Sequence, residues 1–137
     1  MKTPDPFVVD TSAVMTLLED EPGADRVEQV LRTEAVFLPW TVLMEVAYIS
    51  QQEHSRRVAE YRLAALKTMG ATILWEMDEA TLAIAADWKA RYRISFADAI
   101  IAAYASRQAA VLLHKDPEFD ALAGEVAMES LPYKGAG

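Results

Sequence analysis

Four acidic side chains in this sequence have types and positions that suit metal chemistry. Asp10 directly follows an apolar run at residues 7–9, and Asp116 comes soon after another at residues 110–113. Glu45 and Asp98 each lie near the start of an apolar helical pattern. Carboxylates that share a site raise one another's pKa unless a cation neutralises them. Because the chain has no cysteine and only two histidines, Mg²⁺ or Mn²⁺ bound by carboxylate oxygens is the metal that we expect.

Three of these acids also have a purely structural explanation. Asp10 and Asp116 are each suited to be the N-cap of a following helix, and Ser95 with Asp98 matches a capping box.

Glu45 lies in a helical pattern at residues 41–50 that is apolar nearly all round and is therefore predicted to be buried. A buried carboxylate needs a cation, a hydrogen bond or an ion pair. A buried pair with an arginine is the alternative to a metal.

The elements that must position these acids alternate between short strands and helices. The strands are apolar on both faces, which is typical of a parallel sheet covered by helices and predicts an α/β fold. In such sheets ligands bind at the carboxyl ends of the strands, and the following helices start at the same edge. We therefore expect the four acids to converge. The predicted strands are residues 7–9, 35–38, 71–74, 110–113 and 126–128, and the predicted helices are residues 22–32, 41–50, 55–69, 78–92 and 95–107.

Length and composition predict one domain over residues 1–137, with an ordered core at about residues 7–129 and a frayed tail at residues 134–137. The net charge of −8 has the wrong sign for binding nucleic acid by bulk electrostatics, so the acids serve either solubility or cation binding. The sequence has no signal peptide and no apolar run of the ~20 residues that a membrane span needs. This predicts a cytoplasmic protein without a membrane partner.

Several other chemistries are disfavoured by missing motifs. The five glycines form neither a dinucleotide-binding nor a P-loop motif. The acids at Asp116, Glu118 and Asp120 resemble a calcium loop, but the required glycine and closing glutamate are both replaced by alanine. An aspartyl-phosphate phosphotransferase with Asp10 as its nucleophile usually carries a second aspartate two residues later, where this chain has Ser12.

The order of these features resembles the PIN-domain family, in particular the VapC-type toxins of bacterial and archaeal toxin–antitoxin pairs. The resemblance rests on Asp10 with Ser12, on Glu45 followed by Val-Ala, on Ser-Phe-Ala-Asp-Ala-Ile-Ile-Ala-Ala at residues 95–103, and on Asp-Pro-Glu-Phe at residues 116–119. It covers about residues 7–129. It implies a PIN-like three-layer α/β/α sandwich around a short sheet of about five parallel strands in the order 3-2-1-4-5.

The resemblance also implies an activity and partners. The activity is that of an Mg²⁺- or Mn²⁺-dependent endoribonuclease, acting on a structured RNA such as tRNA or rRNA. The partners are a second copy of the chain, in a homodimer, and a small VapB-like antitoxin. Asp10, Glu45, Asp98 and Asp116 match the catalytic and metal-binding acids, and Ser12 matches a residue that supports the first of them. A non-toxin PIN nuclease and an inactive PIN binding module remain open as alternatives.

Four further residues are candidates for binding the substrate. Arg91, Arg93 and Lys115 are close in sequence to the predicted acids and could contact phosphates, although Arg91 and Arg93 also suit the C-terminus of a helix. His114 occupies a position at which the family often has threonine or serine. It is a candidate for contacting the leaving group, and the alternatives are that it only lines the cleft or faces solvent.

Overall fold

The computed structural model describes residues 3–133, which form a parallel sheet with helices packed around it. The predicted frayed tail at residues 134–137 lies outside this range. The strands are β1 (Pro6–Val9), β2 (Ala35–Pro39), β3 (Thr72–Leu74), β4 (Val111–His114) and β5 (Met128–Ser130). The helices are α1 (Thr11–Leu18), α2 (Ala24–Thr33), α3 (Trp40–Glu53), α4 (Arg56–Lys67), α5 (Glu79–Arg91) and α6 (Phe96–Arg107), followed by a 3₁₀ helix, Pro117–Leu122.

The sheet has five strands in the order β3-β2-β1-β4-β5, and all of its neighbouring strands are parallel. The predicted α/β class and strand order are therefore confirmed. β1 and β4 are neighbours, with Val9 opposite Leu113. From β1 the chain continues to β2 and β3 on one side of the sheet, and it then returns to form β4 and β5 on the other side. Open α/β sheets bind ligands at such a switch point. The chain leaves both strands at one edge, so Asp10 and Asp116 follow neighbouring strand ends.

The two central strands are buried on both faces, as their composition predicts. Val8, Val9, Leu112 and Leu113 have no exposed surface. Helices α1, α3 and α6 contact the sheet and also carry the acidic residues or begin directly after them. The acids are thus held by the best-packed part of the molecule. None of the helices in residues 3–133 is both long and apolar enough to cross a membrane.

Helix α3 departs from the sequence prediction. It was expected to be buried all round, but Met44 is 62% exposed and Tyr48 is 44% exposed. Val42, Leu43 and Val46 form its buried face. The prediction was wrong because apolar residues on a helix pack inward only on the face that meets other elements. The exposed face of α3 therefore requires an explanation of its own.

Candidate metal centre

All four predicted acids line a single cleft of about 320 Å³ at the carboxyl edge of the sheet. Their remaining neighbours in this lining are Thr11, Ser12, Met15, Ile49, Ser95 and Glu118. The cleft collects residues that follow β1 and β4, residues near the starts of α1 and α6, and Glu45 and Ile49 from the second and third turns of α3. Parallel topology is what brings these chain segments to one edge.

Asp10 is 1% exposed and is the N-cap of α1. Its Oδ2 accepts hydrogen bonds from the Ser12 backbone N–H at 3.0 Å and from the Ser12 hydroxyl at 2.6 Å. Its Oδ1 is buried and has no hydrogen-bond partner within the described chain. Burial raises the pKa of Asp10 to about 6, and the charge of Glu45 adds to this effect. Capping therefore uses one carboxylate oxygen and leaves the other unpaired in the cleft.

Ser12 joins the two strand ends that flank the cleft. Its hydroxyl donates to Asp10 and accepts a hydrogen bond from the backbone N–H of Lys115 at 2.8 Å. Because Lys115 lies between β4 and Asp116, this one oxygen fixes the position of both aspartates. The position suits the supporting role that the resemblance implies for Ser12.

Glu45 lies in the second turn of α3 and is partly exposed, not buried as expected. Its Oε1 accepts a 2.6 Å hydrogen bond from the hydroxyl of Thr11, which is 7% exposed. No arginine within residues 3–133 pairs with it, so the buried ion pair considered above does not form. Sequence reasoning missed Thr11, because nothing in the sequence indicates a contact between α1 and α3.

Asp98 lies in the first turn of α6 and is 7% exposed. Its backbone N–H donates to the Ser95 hydroxyl at 3.2 Å, so Ser95 is the N-cap, as the capping-box pattern predicts. Burial raises the pKa of Asp98 to about 9, and the charge of Asp10, a hydrogen bond with Glu118 and the charge of Asp116 contribute further. A carboxyl group in this environment holds its proton at neutral pH unless a cation replaces it.

Glu118 joins Asp98 and Asp116 in a group whose carboxylate oxygens lie within 4.8 Å of one another. The Asp116 Oδ1 accepts from the Glu118 backbone N–H at 2.9 Å, which makes Asp116 the N-cap of the 3₁₀ helix. The turn that begins at Pro117 brings Glu118 back into the cleft. In the sequence, Glu118 was considered as part of an incomplete calcium loop and of the motif at residues 116–119, but it was not predicted to be a site residue. The Asp-Pro-Glu spacing was the signal that could have found it.

His114 lies behind the site and does not line it, contrary to the predicted substrate contact. It is 1% exposed, and its ring packs against Phe119 with centroids 5.1 Å apart. Its Nδ1 accepts a hydrogen bond from the Asp116 backbone N–H at 3.2 Å. Burial lowers the pKa of His114, which favours the neutral ring. His114 is the last residue of β4, which lies between β1 and β5 in the sheet, and its side chain is part of the core.

Lys115 and Arg91 do not form the predicted basic rim. The Lys115 side chain is only 4% exposed, and its Nζ donates to the Pro22 carbonyl at 2.9 Å. Arg91 binds the Asp87 carboxylate at 2.7 Å, near the end of α5, as the alternative of a helix C-terminus predicts. Both cations are thus occupied by intramolecular partners.

Arg93 differs from these two cations. It is exposed and makes no hydrogen bond or ion pair with any residue of the described chain. It lies two residues before Ser95, which lines the cleft. Of the three basic candidates, Arg93 is the one whose charge is available to a phosphate.

The family-level comparison agrees with this geometry. A model of the PIN domain matches residues 7–125, which is most of the chain. The chain therefore belongs to the PIN-domain family. No curated protein matches it significantly by sequence.

Several solved structures have a similar fold, and three of them are the following. VapBC2 from Rickettsia felis, bound to a DNA fragment of its promoter, has a TM-score of 0.75 and 13% identity, covering 93% of this chain and 99% of that one. VapC20 from Mycobacterium tuberculosis, a sarcin–ricin loop cleaving toxin, has a TM-score of 0.72 and 18% identity, covering 92% and 99%. VapBC-1 from nontypeable Haemophilus influenzae has a TM-score of 0.71 and 20% identity, covering 91% and 97%. At these identities the likeness shows the fold.

Proposed function

We propose that this chain is an Mg²⁺- or Mn²⁺-dependent endoribonuclease that acts as the toxin of a toxin–antitoxin pair. The observation that carries the proposal is the cleft in which Asp10, with a buried and unpaired oxygen, joins Glu45, Asp98, Asp116 and Glu118. A buried unpaired carboxylate oxygen is costly unless something binds it. Membership of the PIN-domain family also supports the proposed nuclease function.

The donor set of the cleft fits a hard divalent cation. The candidate ligands are carboxylate oxygens, which Mg²⁺ and Mn²⁺ prefer over nitrogen or sulfur. Burial raises the pKa values of Asp10 and Asp98, and the neighbouring carboxylates add to this effect, so a cation in the cleft would offset both the lost hydration and the like charges. A bound ion would lower the pKa of a water molecule and stabilise charge on the leaving oxygen of a phosphodiester.

The residues of the chain have distinct tasks in this proposal. Asp10 and Asp98 would be direct ligands, and Asp116 and Glu118, whose carboxylate oxygens lie within 4.8 Å of that of Asp98, would complete the site. Glu45 is the candidate for accepting a proton from the attacking water, because Thr11 fixes one of its oxygens and leaves the other free. Arg93 supplies an uncompensated positive charge for a substrate phosphate.

The toxin role and the RNA substrate are supported by the similar structures. Several come from VapBC complexes, and VapC20 cleaves the sarcin–ricin loop. We infer that the substrate is a structured RNA, such as tRNA or rRNA, and that the partner is a VapB-like antitoxin. Both are cytoplasmic molecules, so we infer the same location for this chain.

A homodimer is supported by an apolar surface that we call the Trp40 face. Three cavities adjoin Trp40, and they are lined mainly by apolar residues of α3, α5 and α6. Large apolar side chains stand exposed around them, namely Met44, Tyr48, Trp75, Leu82 and Phe96. Monomeric proteins rarely leave a continuous apolar surface of this kind in water. A second copy of the chain would cover it through the symmetric contact that most dimers use.

Incubation of the purified protein with total cellular RNA tests the nuclease proposal. We expect defined new 5′ ends with Mg²⁺ or Mn²⁺ and none with a chelator. Asp98→Asn should abolish cleavage. Asp25→Asn is the matched control, because Asp25 is also an acid in the first turn of a helix but is exposed on α2. Cleavage that persists in Asp98→Asn, or that does not depend on a divalent cation, would contradict the proposal.

A further inference from the structure

A second cavity adjoins the acidic cleft on the side of Asp116. It has a volume of about 410 Å³ and shares Ser12, Met15 and Asp116 with the cleft. Its remaining lining consists of Glu21, Lys115, Pro117 and Tyr133. This volume is within the range of ligand-binding pockets, which starts at roughly 300 Å³. Because the two cavities share lining residues, a molecule in one would continue directly into the other.

Tyr133 gives this cavity a flat aromatic surface in a fixed position. Its hydroxyl donates to Asp120 Oδ1 at 3.0 Å, and its ring lies 6.3 Å from that of buried His114. His114 packs in turn on Phe119, which has no exposed surface. Together with Met15 and Pro117, Tyr133 makes a large part of the lining apolar. A rigid aromatic ring beside an apolar wall suits a planar ligand that stacks.

The charges in this cavity argue against a phosphate as its occupant. Lys115 is the cationic residue in the lining, and its Nζ is already held by the Pro22 carbonyl, with the Glu21 carboxylate 3.8 Å away. Asp116 contributes a further negative charge. The cavity therefore offers no net positive charge to an anion. Lys115 and Glu21 compensate each other within the chain, so the lining that remains for a ligand is the Tyr133 ring with the side chains of Met15 and Pro117, which suits a neutral planar heterocycle.

We propose that this cavity receives the base of one of the two nucleotides that flank the scissile phosphodiester. The inference rests on the proposed nuclease function, which places that phosphodiester in the adjoining acidic cleft. The base stacks on Tyr133 and lies against Met15 and Pro117. Such a base must be unpaired and unstacked, which is how RNA-binding proteins most often read sequence.

The experiment uses short single-stranded RNAs that span a mapped cleavage site. Either flanking nucleotide is replaced by fluorescent 2-aminopurine or by an abasic residue. Binding is measured with the full chain carrying Asp98→Asn, so that the RNA stays intact. We expect 2-aminopurine at one of the two positions to be quenched on binding, and its abasic analogue to bind roughly 5- to 150-fold more weakly, which is the range of base–aromatic stacking.

Two further substitutions test the cavity itself. Tyr133→Leu should remove both the quenching and the abasic penalty, and Met15→Ala should weaken both. Tyr61→Leu is the matched control, because Tyr61 is 76% exposed on α4 and lines none of these cavities. Quenching that is unchanged in Tyr133→Leu, or an abasic RNA that binds as well as the intact one, overturns the inference while leaving the nuclease function intact. If wild-type protein neither cleaves nor binds RNA, both proposals fail.

Discussion

At the scale of single residues, capping a helix and lining the metal cleft are compatible tasks. Asp10 caps α1 with Oδ2 and leaves Oδ1 unpaired. Asp116 caps the 3₁₀ helix with Oδ1, and Asp98 takes part in the capping of α6 through its backbone N–H. Helix starts are also where orphan N–H groups and the helix dipole favour negative charge. Each aspartate therefore takes part in helix capping and also lines the acidic cleft, so the capping explanation does not exclude a role in the site.

The raised pKa values predict how the stability of the metal-free protein depends on pH. The pKa is about 6 for Asp10 and about 9 for Asp98, against 3.8 for an ordinary aspartate. The folded state thus holds these protons more tightly than the unfolded state. This contribution is fully present below the ordinary pKa and is lost as pH rises through the folded values. We expect the melting temperature in chelator to fall between about pH 5 and about pH 9.

Thermal melts at several pH values check this prediction. Asp98→Asn should flatten the part of the decline above the pKa of Asp10, because the amide does not ionise. Mg²⁺ or Mn²⁺ should raise the melting temperature most at the alkaline end, where the carboxylates are charged. A melting temperature that is independent of pH over this range, or that rises toward alkaline pH, would contradict the assigned environment of Asp98.

Ser12→Ala should affect both metal binding and stability. The change frees Asp10 Oδ2 from one hydrogen bond and removes the acceptor of the Lys115 backbone N–H. Supporting residues of this kind typically contribute 10- to 100-fold to metal affinity. An unpaired backbone N–H costs about 1–3 kcal/mol of unfolding free energy. Titration calorimetry with Mn²⁺ and urea unfolding measure the two effects, and Ser106→Ala, at an exposed site on α6, is the control. Unchanged metal affinity would show that Ser12 does not position Asp10.

At the scale of elements, the strands and most helices could be predicted because their signals are local. Apolar runs gave the strands, and Ser95 and Asp116 marked two helix starts that the structure confirms. The errors arose where tertiary contacts decide. His114 and Lys115 were assigned to the substrate, but the end of β4 directs one into the core and the other toward Pro22. Periodicity does not show which neighbour a side chain will meet.

The same limit explains the parts of the site that the sequence did not reveal. Thr11 holds Glu45 across a separation of 34 residues. Glu118 reaches Asp98 from the first turn of the 3₁₀ helix that follows Asp116, across 20 residues of sequence. Each contact depends on how two elements pack. The convergence of the original four acids was predictable, by contrast, because parallel topology alone brings their chain positions to one edge.

Arg62 provides a prediction about how three helices are joined. Its side chain is 11% exposed, pairs with Glu19 at 2.9 Å and donates to the buried Ser50 hydroxyl at 3.1 Å. Glu19 is the C-cap of α1, and Ser50 lies on α3. We expect Arg62→Met to lower the free energy of unfolding by about 1–3 kcal/mol, because it removes the donor to the buried Ser50 hydroxyl and one of the two partners of the half-exposed Glu19.

The matched control for Arg62 lies on the same helix. Arg56 is 82% exposed and pairs only with Glu60 one turn away, so Arg56→Met should cost about 0–1 kcal/mol. Urea unfolding of both variants gives the comparison. Equal losses of stability would mean that the contact of α4 with α1 and α3 does not depend on the Arg62 side chain.

At the scale of the whole molecule, the acidic cleft and the apolar Trp40 face are two neighbouring surfaces with different proposed roles. The net charge of −8 opposes binding to RNA at long range, and a cation bound in the acidic cleft, as proposed above, would reduce this charge locally. The Trp40 face lies next to this cleft, because Glu45 lines both the cleft and one of the cavities beside Trp40. A dimer formed through that face would bring two acidic clefts close to its interface.

Phe96→Asp tests the dimer directly. Phe96 is 73% exposed on the Trp40 face at the first position of α6, where an acidic residue is favourable for the helix dipole. Folding should therefore be retained while the apolar contact is lost. We expect sedimentation to show a dimer for the wild-type chain and a monomer for Phe96→Asp. Tyr61→Asp, at the 76% exposed Tyr61 on α4, should stay dimeric. A wild-type chain that sediments as a monomer, or a Phe96→Asp variant that stays dimeric, would contradict the assignment of the Trp40 face to a second copy of the chain.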